Sequence, residues 1–432
     1  MLLIEDNNCR VNRAGRVKGT ILPPGDKSIS HRAVLLSSLA NGESSIKNFL
    51  TGEDCRRTLE AVKLMGVQVL KDTKDELVIK GNGELFEPEN ILDMGNSGTG
   101  IRLMSGVVSA YPMLTVLTGD ASLRKRPMGR IIKPLMEMGA EIKGRNDGKF
   151  APLVIEGGNL KGIHYKSPVA SAQVKSAILL AGLRADGDTS VTEPSKSRDH
   201  TERMFKAFGV NVKVEGNTAK ICPCSMLSST DINVPGDISS AAFFIVAALI
   251  LPDSEVIIEN VGLNPTRTGI ITALKMMGAD LEIKDEREEG GEPVGTVIAK
   301  SSDLKGMEVP EDLVPSMIDE FPIFMIAASC ADGTTVIKGA EELRVKESDR
   351  ISVMAEEIEK MGVKLEEKPD GCIITGTKNL KGAVCNSHHD HRVAMSMIIA
   401  GLAAEGETIV EDVGWINTSF PTFFNILNEI LM

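Results

Sequence analysis

Eight basic side chains stand where helices are expected to begin. Lys27 and Arg32 follow Asp26 in PGDKSISHR, and Arg102 follows the turn Asn96-Ser97-Gly98-Thr99. Arg126 precedes Pro127, an early-helix residue by type, and Arg198 lies in SRDH ahead of a helical pattern. Lys346 and Arg350 bracket Glu347-Ser348-Asp349, and Arg392 follows Asp390. A helix start carries partial positive charge, so a cation there is locally unfavourable. A chain that breaks this rule repeatedly, at one kind of position, uses those positions. Helix-start amides combined with Arg and Lys make strong anion sites. Arg grips carboxylate or phosphate through two bonds, and Lys supplies a point charge. The chemistry implied is the gathering of substrates that carry several negative charges. One such cation alone would be read as a surface charge paired with a nearby acid; the recurrence argues for a site.

Acids beside these cations could move protons. Asp319 and Glu320 are expected to open the helix MIDEFPIF, and Glu347 lies between Lys346 and Arg350. A carboxylate among cations stays ionised and can act as a base, while burial pushes the other way. His200 lies in SRDH and His391 in the turn Asp390-His391-Arg392. There is no Ser-His-Asp order and no HExxH, so nothing points to a hydrolase. In His388-His389-Asp390-His391, neighbouring side chains point different ways, which favours a polar capping turn over a metal site. The turn Gly95-Asn96-Ser97-Gly98-Thr99-Gly100 fits neither the P-loop nor the dinucleotide fingerprint. It reads either as a tight capped turn or as bare backbone lying close to a small anion, where a Cβ would crowd.

The elements that must position these residues recur. A helix of small and apolar residues, followed by a Gly/Asp turn and a β-branched strand, begins near Gly25, Gly95, Ser171, Gly236, Met317 and His389. A second, amphipathic helix ends at a glycine and leads into a strand; the stop glycines are 66, 139, 209, 278 and 362, about 70 residues apart. The first helix of each pair is apolar nearly all round, which marks a buried helix. Six α/β units result, too long for one-dimensional solenoid repeats. Gly236-Asp237 repeats Gly25-Asp26, so the units divide three and three. Crossings are expected near Leu22–Gly25 and Val234–Asp237, giving one domain over 22–235 and another over 1–21 plus 236–432.

Composition narrows the function classes. Apolar residues at 42% and charged residues at 25% suit a folded chain with a sizeable core. A net charge of −12 excludes a globally basic nucleic-acid surface, and 3% aromatics are too few for base-stacking platforms. The longest apolar run, Ala241–Leu251, stops at Pro252, short of the roughly 20 residues a membrane span needs. The opening MLLIEDNNCR has acids where a signal peptide has bases. Seven scattered cysteines, with only Cys222-Pro223-Cys224 close together, fit a reduced, cytoplasmic enzyme.

Eight segments then line up with one family. PGDKSISHR (24–32), GNSGTGIR (95–102), LRKRPMGR (123–130), SAQVKSA (171–177), SKSRDHTE (195–202), MIDEFP (317–322), RVKESDR (344–350) and DHRVAM (390–395) occur in the family's order over nearly the whole chain. The sequence resembles the 5-enolpyruvylshikimate-3-phosphate (EPSP) synthases, in their second-class form, within the enolpyruvyl transferases. The resemblance implies an α/β fold: a two-domain inside-out α/β barrel, three repeated units per domain, helices inside, sheets outside, and a site in the interdomain cleft. It implies transfer of the carboxyvinyl group of phosphoenolpyruvate to the 5-hydroxyl of shikimate 3-phosphate, by addition then elimination, with no cofactor and no metal. A monomer without membrane or nucleic-acid partners is expected. Carried over residue by residue, Lys27, Ser28, Arg32, Ser171, Gln173, Arg198, Asp319 and Lys346 would hold shikimate 3-phosphate. Ser195 and the backbone of Ala172 would lie at its edge. Lys27, Gly98, Arg126, Gln173, Arg350 and Arg392 would hold phosphoenolpyruvate, with Asn96 supporting the turn. Asp319 is the candidate base, Glu347 the candidate acid and Lys27 a helper to either.

Two departures from the family pattern stand out. Ser171-Ala172-Gln173 replaces the Ser-Ser-Gln of the first class, losing one hydroxyl toward the phosphate. Asn417-Thr418-Ser419-Phe420-Pro421 lacks a Lys that some members carry there. The UDP-N-acetylglucosamine enolpyruvyl transferases share fold and donor but carry a loop Cys where this chain has TGDASLRKRP. RNA 3′-phosphate cyclase is disfavoured by the acidic balance. A non-catalytic anion-binding scaffold would lack the acids at 319 and 347.

Overall fold

The computed structural model describes residues 2–224 and 226–432. The chain divides into two compact units. The inserted unit is Gly25–Val234 with Glu288–Glu292; the host unit is the stretch up to Pro24, Pro235–Arg287 and Pro293–Met432. Each has its own hydrophobic core, with no buried residue in common.

Among the described residues there are twelve helices of eight residues or more, and they come in pairs. In the inserted unit these are α1 (Lys27–Leu39), α2 (Glu53–Leu64), α3 (Gly98–Ser109), α4 (Gly129–Met138), α5 (Ala172–Gly182) and α6 (His200–Ala207). In the host unit they are α7 (Ile238–Ile250), α8 (Gly269–Met276), α9 (Phe321–Cys330), α10 (Arg350–Lys360), α11 (His391–Ala403) and α12 (Phe423–Ile430). The odd-numbered helices are buried on nearly every face: in α7 only Ile250 escapes. They pack on one another at the centre of each unit. Gly106 of α3 allows the closest approach, since a Cβ there would lie 2.3 Å from the Ala177 carbonyl of α5. The even-numbered helices bury one side, as amphipathic patterning requires. The five stop glycines adopt φ between +82° and +114°, the left-handed turn that lets the next strand start at once.

Three sheets flank each helix set. Four inner helices serve as the crossover between strands that lie parallel in one sheet, a connection parallel pairing demands. Leu92–Asp93 and Leu114–Thr118 flank α3, and His164–Lys166 and Thr189–Thr192 flank α5. Val384–Asn386 and Glu407–Glu411 flank α11; around α9 the pairing is two isolated parallel bridges, Lys305 to Asp332 and Glu308 to Val336. At α1 and α7 the partners are exchanged. Lys18–Ile21, before α1, pairs with Glu255–Ile258, after α7. Ile232–Asn233, before α7, pairs with Ile46–Lys47, after α1. This mixed α/β architecture agrees with the class read from the repeats. Among the described residues no helix is long and apolar enough to cross a membrane.

Candidate functional site

In the inserted unit the N-termini of α1, α3 and α5 gather at one end. Asp26 caps α1 by accepting from Ile29 N at 2.9 Å, and Ser97 caps α3 by accepting from Gly100 N at 2.9 Å. Buried His31 ties the two together: Nδ1 lies 2.8 Å from Thr58 Oγ1 of α2, and Nε2 lies 3.4 Å from Ser97 Oγ. Burial, with Lys27 and Arg32 adding to it, brings the His31 pKa down to about 3, so the ring stays neutral. Gln173 joins α5 to α3 by donating to Thr99 Oγ1 at 2.9 Å and accepting from Arg102.

Five of the eight cations singled out from sequence, Lys27, Arg32, Arg102, Arg126 and Arg198, belong to this unit. Lys27, first residue of α1, sits 2.9 Å from Asp54 at the start of α2, both largely buried. Arg126 donates to the Asn96 carbonyl at 3.1 Å, to Asn96 Oδ1 and to Ser122 Oγ at 3.3 Å. Gly98 lies against two guanidiniums: a Cβ would stand 3.1 Å from Arg126 Nη1 and 3.2 Å from Arg102 Nη1. A side chain at this position would crowd two cations. Arg32 is buried one turn deeper, donating to Thr201 Oγ1 (2.6 Å), the Ser28 carbonyl (2.8 Å) and Ser176 Oγ (2.7 Å). Burial lowers its pKa to about 10, with Glu202 and Asp26 resisting, so it remains charged. Ser171 caps α5, Ala172 is its first residue, Arg198 is half-buried ahead of α6, and Ser195 is exposed.

The host unit gathers acids around one helix-start cation. Arg350, first residue of α10 and 1% exposed, is ringed by three carboxylates: Glu347 at 2.7 Å, Asp390 at 2.8 Å and Asp319 at 3.5 Å. Lys346 lies 3.7 Å from the same Asp319 oxygen. Burial works against the Arg350 charge, but Asp390, Glu347 and Asp319 outweigh it and hold the guanidinium above its ordinary range. Burial likewise works to raise the Asp390 carboxyl, and Arg350 outweighs it and holds the group below the usual value. Asp390 also caps α11 by accepting from Arg392 N at 2.9 Å, which fixes the start of the segment bearing the buried Arg392. On α9, Glu320 and not Asp319 occupies the capping position, and Phe321-Pro322 opens the helix. Pro127 likewise precedes its helix, which starts at Gly129 after a short turn at Leu123–Lys125.

Several participants were not visible as partners from sequence. Asp54 is 27 residues from Lys27. His31 could have been found, since it stands four positions after Lys27 on one helix face. Arg267, 3% exposed, joins α7 to α9 by bonding Asp237 (3.0 Å) and Ser239 Oγ (2.7 Å) and lying 3.8 Å from Glu320. His388 does not gather with the neighbouring histidines. It meets Glu356 and Glu357 instead, and Lys360 Nζ stands 3.0 Å from the first and 2.9 Å from the second, so an ammonium already holds these acids together.

A family model for EPSP synthase (3-phosphoshikimate 1-carboxyvinyltransferase) matches residues 11–427. The chain belongs to the EPSP synthase family. It is 54% identical to a 3-phosphoshikimate 1-carboxyvinyltransferase of Thermodesulfovibrio yellowstonii over 97% of this chain and 99% of that one. It is 52% identical to the Bacillus thuringiensis subsp. konkukian protein of the same description, over 96% and 97%. A solved EPSP synthase of Acinetobacter baumannii superposes with a TM-score of 0.88 at 49% identity, covering 98% of both chains.

Proposed function

We propose that this chain transfers the enolpyruvyl group of phosphoenolpyruvate to the 5-hydroxyl of shikimate 3-phosphate, releasing phosphate, as a monomer serving the biosynthesis of aromatic compounds. Family membership over nearly the whole length carries the reaction. The observation that carries the site is the gathering of its motif residues at the N-terminal helix ends of each unit.

In this reading Lys27, Ser28, Arg32, Ser171, the Ala172 backbone, Gln173, Ser195 and Arg198, with Asp319 and Lys346, hold shikimate 3-phosphate. Lys27, Asn96, Gly98, Arg126, Gln173, Arg350 and Arg392 hold phosphoenolpyruvate. Each substrate carries a carboxylate and a phosphate, and two such anions repel unless cations surround them. Asp319 takes the proton of the attacking hydroxyl, whose oxygen bonds to the central carbon of phosphoenolpyruvate. Glu347 delivers a proton to the methylene carbon, giving a tetrahedral intermediate. Loss of phosphate and return of that proton to a base restore the double bond. Lys27 and Arg126 stabilise charge that develops on the phosphate and carboxylate oxygens. Arg350 supports the proton steps by keeping Asp319 and Glu347 within reach of one guanidinium.

The test is phosphate release on mixing the protein with phosphoenolpyruvate and either shikimate 3-phosphate or UDP-N-acetylglucosamine. Release with the first acceptor alone is expected. Release with the sugar nucleotide alone, or with neither, overturns the reading.

A further inference from the structure

Behind the start of α5 lies a buried charge cluster that touches no residue assigned to the reacting atoms. Glu193, Lys175 and Glu202 have side chains 2%, 3% and 5% exposed. Lys175 Nζ stands 2.9 Å from Glu193 and 2.8 Å from Glu202. Glu193 reaches two separate segments. Its Oε1 accepts from Ser171 N at 3.0 Å, and its Oε2 accepts from Ser197 N at 3.4 Å. Lys175 closes the other side of Ser197 by donating to its carbonyl at 3.5 Å. Ser197 is thus held at both its N–H and its C=O, and the next residue is Arg198. The Ser197 hydroxyl is buried and has no hydrogen-bond partner among the described residues.

We infer that Glu193, clamped by Lys175, is the positioning residue for the phosphate-binding edge of the shikimate 3-phosphate subsite, fixing Ser171 and the Ser197-Arg198 segment against each other. This rests on the function proposed above. A lone carboxylate behind an anion site would repel the ligand. Lys175 offsets the charge of Glu193, Arg32 feels the charge of Glu202, and Lys175 stays protonated because Glu202 and Glu193 outweigh the effect of burial. Glu202 holds Lys175 without bonding to Ser171 or Ser197, so it contributes stability but no positioning.

The test compares wild type, E193Q and E202Q. The E193Q amide keeps the shape of the side chain but offers one acceptor oxygen for the N–H groups of both Ser171 and Ser197. Expected for E193Q is a KM for shikimate 3-phosphate raised about tenfold, and a Kd raised equally in calorimetry well below the melting transition. Its KM for phosphoenolpyruvate should stay within about twofold of wild type. E202Q should melt earlier without raising the shikimate 3-phosphate KM. Should E193Q not fold, E193D carries the same expectation, since it keeps the charge beside Lys175 but draws the oxygens back by one methylene. Equal rises in both KM values, no rise, or a rise in E202Q matching E193Q would overturn the inference. A wild type that releases no phosphate with both substrates present would instead sink the proposed function.

Discussion

The polar ends of the two units are built on one plan and filled differently. In the inserted unit, Arg32, Arg102 and Arg126 donate to hydroxyls, an amide and backbone carbonyls. Neutral acceptors such as these orient a guanidinium without cancelling its charge, while Lys27 at the same end lies 2.9 Å from Asp54. In the host unit, Arg350 is surrounded by Asp319, Glu347 and Asp390. There the cation is spent on holding acids in place. The same repeat thus carries a cation with one acid beside it at Lys27 and a cation shared by three acids at Arg350.

The largest expected effect strikes Lys27. Lys27→Met should cut turnover by about a thousandfold or more while far-UV circular dichroism stays at wild type, because the Lys27 side chain is 16% exposed and water can reach Asp54 in its place. Normal kcat in this variant would remove Lys27 from the site. The three-acid cluster should fail differently, through stability. Arg350→Met removes the guanidinium that three acids share, leaves Lys346 beside Asp319, and should cost about 3–5 kcal/mol at neutral pH. Its melting temperature should rise as pH is lowered from about 7 toward 5, since protonation relieves the repulsion. Wild type should show no such rise over that range and should lose stability only at lower pH. Its Asp390 carboxyl is held below the ordinary 3.8, so the stability it contributes is complete above that pH and is lost as pH falls through the depressed value. Parallel pH trends in the two proteins would contradict the sharing of Arg350 by three acids.

A smaller effect is expected at Gly98. Gly98→Ala pushes a methyl to within 3.1 Å of Arg126 and 3.2 Å of Arg102, and should raise the KM for phosphoenolpyruvate about tenfold with a lesser change for the other substrate. An unchanged KM would mean the turn stands off from the ligand. The smallest belongs to exposed Ser195: Ser195→Ala should shift the shikimate 3-phosphate KM by no more than about twofold.

What the sequence makes legible is local. Caps such as Asp26, Ser97 and Asp390 sit beside the helices they start, and the stop glycines sit beside the turns that need them. Periodic small-residue runs reveal the buried helices because burial on all faces erases amphipathicity. Partnerships across long separations stay hidden. Nothing in the order of residues joins Arg267 to Glu320, His31 to Thr58, or Glu193 to Lys175. Where a local rule fails, a distant contact explains it. Pro127 stays outside α4 because its carbonyl accepts from Arg102 and Met128 N bonds the Lys149 carbonyl. Resemblance to a family supplied the assignment of ligands to residues, which charge and spacing left open.

The exchange of parallel strands at α1 and α7 has a consequence for biosynthesis. The strand Lys18–Ile21 emerges from the ribosome early, yet its neighbour Glu255–Ile258 is more than two hundred residues away. Translation therefore passes through Gly25–Val234 while that strand still waits unpaired, with Ile21 its one buried residue. Closure of the host unit must await Glu407–Glu411 and the bridge from Val17 to Leu431. The nascent chain carries an orphan edge through about half of its synthesis, so the host unit can close only after the inserted unit's main stretch has left the ribosome.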